Sequence, residues 1–366
     1  MDKIAVIILN WNGLAMLQRF LPSVVEHSTE KSVVYVADNG STDDSLKWIR
    51  ENCPTVRILE LSRNYGFAAG YNNALHRVEA EYAVLLNSDV EVTAGWLDPL
   101  IRYMDEHPET AACQPKIRSW QSREYYRGEL SNVSTKKKKY PRKKMKYLTS
   151  EMFEYAGAAG GFLDRYGYPY CRGRIMQCTE ADTGQYDTIM PVFWATGAAM
   201  CVRMQAYWEA GGLDWRFFAH MEEIDLCWRL QLLNYRIVCV PESVVYHVGA
   251  ATLRRESPQK TFLNFRNNRL MLFKNLPDAE WRRVKRVRDR LDLLASLTFL
   301  LKGRWSNARA VWRAMREAKQ LYPRYAEHRE IWKSRMHNSV IGCMPFCLVI
   351  QYYVLGKRRF DRLPIK

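Results

Sequence analysis

The chain has nine cysteines but no C-x-x-C pair. Cys171 and Cys178 are separated by six residues and Cys343 and Cys347 by three, so neither pair makes a zinc framework alone. An odd number of scattered thiols predicts reduced cysteines in a cytosolic protein. The chain also lacks the ~20 apolar residues of a spanning helix. The nearest stretch, 340–355, is interrupted by Pro345 and Gln351. The N-terminus shows no charged segment, apolar segment and small-residue cleavage site in succession, and Ile4-Ala5-Val6-Ile7-Ile8-Leu9 reads at once as a strand. Gly66 and Gly70 flank Phe67-Ala68-Ala69, which is not the G-x-G-x-x-G dinucleotide fingerprint, and no P-loop lysine follows. Dehydrogenase and P-loop kinase are thereby disfavoured. No internal repeat is present.

The 366 residues are 48% hydrophobic and 13% aromatic, with 12 Trp and 21 Tyr. That suffices for one large α/β domain with a smaller appendage and excludes a disordered chain. The net charge of +16 is unevenly placed. Residues 281–366 hold 21 Lys and Arg against 6 Asp and Glu, and residues 131–150 hold 8 basic residues and no acidic one. The remaining body is net acidic. Two basic segments on an acidic body suit a polyanion, either nucleic acid or an anionic membrane.

Apolar runs at 4–9, 33–37, 56–61 and 82–86 alternate with helical spacing at 14–27, 45–51 and 71–78. This alternation predicts βαβ units and a mostly parallel sheet flanked by helices. Ligands of such sheets bind beyond the carboxyl ends of the strands. Asn10, Asp38, Asn64 and Asp89 each follow a strand and are expected on one rim. Residues 119–190 form a long irregular stretch with the run Lys136–Lys139, read as a functional loop region or disorder. Two short strands are expected at 237–240 and 244–247, and basic, aromatic helices after Pro277. The expected divisions are 1–118, 119–275 with a basic insertion near 131–150, and 276–366 as a helical appendage.

Two constellations carry chemistry. In Asn87-Ser88-Asp89, with Glu91 nearby, a carboxylate at a strand end can hold a hard divalent cation, although a turn that caps the next helix needs the same residues. In His220-Met221-Glu222-Glu223-Ile224-Asp225 three carboxylates crowd one turn. Such crowding raises at least one pKa, as a general base requires. An acidic helix N-terminus, or an Asp225–Arg229 pair, would explain the same residues. His247 ends an apolar strand and is either a hydrogen-bonded structural residue or a further metal ligand beside Asp89.

These segments, in this order, resemble the family 2 glycosyltransferases of the GT-A fold, especially bacterial rhamnosyltransferase-like and galactofuranosyltransferase-like members. The similarity lies in Val6-Ile7-Ile8-Leu9-Asn10-Trp11-Asn12, Ala37-Asp38-Asn39-Gly40-Ser41-Thr42-Asp43 and Asn64-Tyr65-Gly66-Phe67-Ala68-Ala69-Gly70-Tyr71-Asn72. It continues in Leu85-Leu86-Asn87-Ser88-Asp89, Trp194-Ala195-Thr196-Gly197-Ala198, Phe217 to Leu226 and Tyr246-His247-Val248-Gly249. The resemblance implies an inverting transferase that uses a UDP- or dTDP-sugar and Mn2+ or Mg2+, with 1–118 as its nucleotide-sugar-binding half and 119–275 as its acceptor-binding and catalytic half. The acceptor it implies is a hydroxyl of a glycan or lipid-linked molecule, in bacterial cell-surface polysaccharide assembly. It implies that Asp38 contacts the nucleoside, that Asn10 and Asn12 pack near the base, and that Asn64, Gly70, Asn72 and Asn87 line the donor pocket. Asp89 and His247 become metal ligands. Glu223, with Glu222 and Asp225 beside it, becomes the catalytic base. Trp194, Thr196 and Gly197 face the acceptor. Asn87 replaces the first Asp of the familiar D-x-D, Glu223 stands where Asp is usual, and Tyr71 where Asn is frequent.

A sugar nucleotidyltransferase would want a basic Gly-rich loop after the first strand, and Asn10-Trp11-Asn12-Gly13 has no base. A non-enzymatic membrane or nucleic-acid adaptor leaves the carboxylates unexplained. Residues 281–366 hold a basic block, the apolar run 291–301, Trp305, Trp312 and the apolar stretch 340–355 closed by Lys357-Arg358-Arg359. They are expected either to dock on the inner face of an anionic membrane or to pack as a helical subdomain, with nucleic acid not expected as a partner. The protein is thus expected in the cytoplasm, peripheral on the plasma membrane.

Overall fold

The computed structural model describes residues 2–28, 31–126, 151–249 and 257–365. The basic segment 131–150 lies outside the described residues. Strands β1 (Asp2–Asn10), β2 (Ser32–Asp38), β3 (Arg57–Glu60), β4 (Ala80–Asn87), β5 (Val90–Val92) and β6 (Thr110–Ser119) occupy the first part of the chain. They alternate with helices α1 (Leu14–His27), α2 (Ser45–Asn52), α3 (Gly66–Leu75), α4 (Leu97–Glu106) and α5 (Trp120–Tyr126). Strands β7 (Gly161–Asp164), β8 (Pro169–Cys171), β9 (Arg174–Ile175) and β10 (Cys178–Thr179) follow, then β11 (Met190–Pro191), β12 (Ala199–Arg203), β13 (Arg236–His247) and β14 (Cys343–Met344). The later helices are α6 (Met204–Glu209), α7 (Glu222–Leu232), α8 (Pro258–Asn275), α9 (Asp278–Leu301) and α10 (Trp305–Leu321).

The main sheet runs β11-β13-β6-β12-β4-β1-β2-β3, with β5 paired to β13 off this path. The β4-β1-β2-β3 block is parallel throughout, and β6 lies parallel to β13. Only β12 runs against both neighbours in the middle. Strand period explains why both faces are covered. Ile4, Val6 and Ile8 enter one core with Leu17, Leu21 and Val24 of α1. Ala5 and Ile7 enter the other with Ala68, Tyr71 and Ala74 of α3. A one-residue slip of β1 would exchange these faces, so the register is firmly set.

Three expectations change. The two strands foreseen at 237–240 and 244–247 are one strand, β13, with a register shift between Val240 and Val244. Pro241 falls there and cannot donate to the ladder, which is where a bulge is tolerated. Residues 151–190 are no irregular loop: β10-β9-β8-β7-β14 form a second sheet, with Phe153, Phe162 and Tyr170 buried. Strands of two to four residues leave no readable period. Finally, the C-terminal helical region also contributes a strand, since β14 pairs with β7 and completes the second sheet.

Candidate active site

The parallel block puts Asn10 beside Asp38, and Asn87 beside Leu9, at one edge of the sheet. Asn10 Nδ2 donates to Asp38 Oδ1 at 3.0 Å and to Ser41 Oγ at 3.2 Å. Asp38 Oδ2 accepts the Ser41 amide at 2.9 Å, and Asn12 Oδ1 accepts the Thr42 amide at 2.7 Å. The two loops that follow β1 and β2 are thus one hydrogen-bonded unit, in which Trp11 is 48% exposed. Asn39, buried behind it, was not singled out from sequence. Its Nδ2 donates to Asn64 Oδ1 and the Gly66 carbonyl, each at 3.1 Å, and its Oδ1 accepts the Tyr65 amide at 2.9 Å. Asn39 therefore joins the β2 rim to the start of α3. Its signal was only its place in the Asp38–Thr42 turn.

Next along the rim, Asp89 Oδ1 lies 3.1 Å from His247 Nε2, and Asn87 Nδ2 lies 3.4 Å from the same nitrogen. The pairing of β5 with β13 brings them together, with the Gly249 amide donating to Asp89 Oδ2 at 3.1 Å. On the far side of the ring, Glu154 Oε2 stands 3.5 Å from His247 Nδ1. Burial disfavours a charged imidazole, yet Asp89 and Glu154 outweigh it and hold His247 up at about 10. Burial likewise opposes the Asp89 carboxylate, and His247 keeps it below the usual range. Atoms in neighbouring positions of an octahedral Mg2+-type site stand about 3 Å apart. The Asp89–His247 spacing fits that geometry, and the oxygen and imidazole donors suit a Mn2+-like ion. Both side chains are buried, and no group of three or more His, Cys, Asp or Glu that could hold a metal ion is present among the described residues. Glu91 is not available to it: its carboxylate accepts from Trp120 Nε1 at 2.8 Å and Arg123 Nη1 at 2.7 Å.

The third part is the start of α7. Phe218, His220 and Met221 all have positive φ, at 64°, 72° and 73°. Non-glycine residues in this region store strain, and three in four positions persist only if the surroundings impose them. Asn267 of α8 imposes them here. Its Nδ2 lies 2.9 Å from the Phe217 carbonyl, 2.9 Å from that of Ala219 and 2.8 Å from that of His220. Arg266 Nη2 adds bonds to the Arg216 and Phe217 carbonyls at 3.0 and 3.2 Å. In turn the Phe218 carbonyl caps α3, accepting the Phe67 and Ala68 amides at 2.7 and 3.2 Å. At Gly66, with φ of 77°, a Cβ would stand 2.5 Å from the Phe218 ring. Asn267 lies far from the recognised segments, and an Asn inside a basic helix gave no sequence signal.

This strap delivers Glu222 and Glu223. One oxygen of each, Oε2, is buried without a hydrogen-bond partner among the described residues. Burial pushes the Glu223 carboxyl up to about 7. Burial and the neighbouring Glu223 push Glu222 well above the carboxylate range. Burial and the charge of Lys260 hold His220 down at about 3, so its ring is neutral. Gly197 lies against this pair, where a Cβ would be 3.8 Å from Glu223 Cβ and 2.9 Å from Phe67 Cζ. The adjacent Ala198 carbonyl accepts the Asn87 amide at 3.0 Å. The carboxylate pair and the Asp89 rim are therefore joined through Gly197-Ala198.

Several sequence-based assignments move. Asp225 is no base: its carboxylate accepts from Arg229 Nε at 3.0 Å, Lys274 Nζ at 2.8 Å and Asn275 Nδ2 at 2.9 Å. Burial opposes its charge, but Lys274 and Arg229 keep it below the ordinary range. Asn72 does not line a pocket, because its amide is taken up by the Leu213 carbonyl at 2.7 Å and the Tyr207 hydroxyl at 2.5 Å. Gly70 is a packing residue, since a Cβ would stand 2.9 Å from Leu9 Cδ1. Trp194 is buried under Gly161 and donates to the Phe162 carbonyl at 3.1 Å, which removes it from the acceptor side. Thr196 is buried too, its amide donating to Gln114 Oε1 at 3.0 Å. Asn64 closes its own turn, accepting the Gly66 amide at 2.8 Å.

A mostly parallel sheet with a polar rim and a C-terminal helical region is the architecture of the GT-A glycosyltransferases. Solved structures bear out the fold. GalNAc-T7 with UDP, GalNAc and Mn2+ superposes with a TM-score of 0.58 at 14% identity, covering 97% of this chain and 57% of that one. TarS 1–349 of S. aureus in complex with UDP-GlcNAc gives 0.52 at 15% identity, covering 100% and 94%. Residues 5–166 match the model of glycosyl transferase family 2. Among curated relatives, the N-acetylglucosaminyl-diphospho-decaprenol L-rhamnosyltransferase of Mycobacterium tuberculosis is 26% identical over 70% of this chain and 79% of its own length. The low-salt glycan biosynthesis hexosyltransferase Agl10 of Haloferax volcanii is 20% identical over 73% and 74%.

Proposed function

We propose that this glycosyltransferase works by single displacement with inversion, assisted by a divalent cation. It moves a sugar from a UDP- or dTDP-linked donor to a hydroxyl of a glycan or lipid-linked acceptor. The observation that carries the reading is the Glu222–Glu223 pair, each with one oxygen enclosed and without a hydrogen-bond partner among the described residues, on the helix that follows a strained loop. A carboxyl kept near pH 7 by burial is poised to accept a proton at neutral pH.

In this reading Glu223 takes the proton from the attacking acceptor hydroxyl, and the protonated Glu222 keeps a second negative charge away from it. The Asn10–Asp38–Ser41 unit holds the ribose and base, with Trp11 offering a face for stacking. Asp89 and His247 would hold Mn2+ or Mg2+, with Asn87 beside them and Glu154 orienting the imidazole. The cation would neutralise the departing diphosphate. Trp215 and Phe218, exposed on the strapped loop, replace Trp194 as the aromatic surface for the acceptor sugar. The rhamnosyltransferase relative, named for a decaprenol-linked acceptor, supports a lipid-linked acceptor and a role in cell-surface polysaccharide assembly.

The test is thermal shift and nucleoside diphosphate release over a panel of nucleotide sugars, with and without Mn2+. A true donor raises the melting temperature in a Mn2+-dependent way, by linkage. Asp89→Ala is expected to abolish that dependence. If it binds donor with unchanged Mn2+ dependence, the cation assignment is wrong.

A further inference from the structure

Helices α9 and α10 form a hairpin with two contrasting faces. The inward face of α9 carries Trp281, Val284, Arg288, Asp292 and Ser296, all buried. That of α10 carries Asn307, Ala308, Val311, Ala314 and Ala318. The outward faces are different. On α9 the exposed residues Arg282, Arg286, Arg290, Leu293, Leu297 and Leu301 recur at three- and four-residue steps and so share one stripe. The stripe changes from basic to apolar along its length, and Leu301 at its tip is 81% exposed. On α10, Trp305, Arg309, Trp312, Arg316 and Lys319 recur in the same way, with Trp305 69% and Trp312 56% exposed. The two stripes meet at a groove of about 560 Å³ lined by Lys285 and Leu293 of α9 and by Trp312, Arg316 and Lys319 of α10.

We propose that this outward face of the α9–α10 hairpin docks on the surface of an anionic lipid bilayer, with the leucine tip and Trp305 entering the interface and the arginines bound to headgroup phosphates. It rests on the transferase reading only in its purpose, which is to bring the site to a lipid-linked acceptor.

Charge decides the occupant. Beyond the first turn of α9, where Asp278 pairs with Arg329 and Glu280 is exposed, the acidic residues of the hairpin are already paired: Asp289 with Arg269 and Lys285, Asp292 with Arg269 and Arg288, and Glu317 with Arg266. The outward arginines have no carboxylate partner among the described residues and leave a basic surface. A second copy of the chain would set this surface against itself, like charge against like. A nucleic acid would leave Leu293, Leu294, Leu297 and Leu301 in water. An anionic bilayer satisfies both sets of groups, since Trp at the headgroup level, Arg beside it and Leu beneath is the pattern of an interfacial helix. No described helix is long and apolar enough to cross the membrane, so such contact would be peripheral. The hairpin is also rigidly joined to the site. Arg266 bonds Glu317 of α10 at 2.7 Å with one nitrogen and the Arg216 and Phe217 carbonyls with another.

The test is co-sedimentation of the full chain with vesicles of phosphatidylcholine alone and with added phosphatidylglycerol, at low and high salt. Binding is expected to rise with phosphatidylglycerol and fall with salt. Arg286→Glu with Arg290→Glu is expected to lower partitioning about tenfold or more, from roughly fivefold per basic residue. Leu297→Ser with Leu301→Ser should lower it without changing the melting temperature, because both side chains are exposed. Binding that ignores lipid charge and salt, or that both variants retain, overturns the proposal. Concentration-dependent dimerisation of the wild type that the leucine variant abolishes overturns it too, in favour of a second copy. The donor-induced thermal shift is read on the same samples. Its absence with lipid binding intact counts against the transferase reading alone, and its presence without lipid binding counts against the docking face alone.

Discussion

Glu223 and Asp225 lie two residues apart on α7; Asp225 is fully buried, and Glu223 is half-buried with its Oε2 enclosed. Around Asp225 the charges cancel: Lys274 bridges it to Asp214 at 2.8 Å on each side, and Arg229 lies 2.9 Å away. Around Glu222 and Glu223 no described cation approaches, and part of each carboxyl is left without a partner. The first arrangement holds the start of α7 to α8. The second keeps a carboxyl protonated or nearly so, at a cost in stability that an ordinary core would not carry. Burial therefore does not distinguish a structural acid from a reactive one, whereas the charge of what surrounds it does.

Three substitutions would break or sharpen this contrast. The largest effect on folding is expected from Asp225→Ala, which leaves the buried Arg229 without its carboxylate partner and Lys274 with Asp214 alone. Removing one member of a buried ion pair costs about 3–5 kcal/mol, readable as a lowered midpoint in urea. A variant of near wild-type stability would show that the network is not structural.

Glu223→Gln inverts that pattern, with function lost and stability gained. Turnover should fall ~10²–10⁴-fold with donor affinity kept, as expected when a general base is removed. In the wild type, turnover should rise with pH through about 7 as Glu223 loses its proton. Stability should move the other way. The folded state holds this proton up to about 7, whereas the unfolded chain gives it up near 4.5, so folding weakens as pH rises across that window. The Gln variant should lose this dependence and melt higher than wild type at pH 8. Unchanged turnover would transfer the role to Glu222.

The smallest effect is expected at the strap. Asn267→Ala leaves the Phe217, Ala219 and His220 carbonyls without their shared donor, at about 1–3 kcal/mol. Turnover should drop further than the melting temperature alone explains, because the loop that presents Glu223 loses its anchor. A variant destabilised but fully active in the cold would make Asn267 purely structural.

The sequence by itself determined the alternating strand-and-helix order, the mostly parallel sheet and the residues expected at its rim. Those features are local: a strand's period, a turn's composition and the rule that parallel neighbours end on the same edge act over a few residues at a time. It also brought Asn10, Asp38, Asp89, His247 and Glu223 into consideration, since each ends a strand or opens a helix. Only the tertiary structure decided what each one touches. It bound Asp225 to Lys274, 49 residues on, and committed Asn72 to Leu213, 141 residues on. It buried Trp194 under Gly161, and it supplied Glu154 and Asn267, which no motif marks. It also set α8, whose Arg266, Arg269 and Lys274 are buried and paired, apart from the outward α9–α10 face, whose arginines are exposed. Which side of a helix meets the core, and whether a partner of opposite charge waits there, depends on contacts between distant segments that no local pattern encodes.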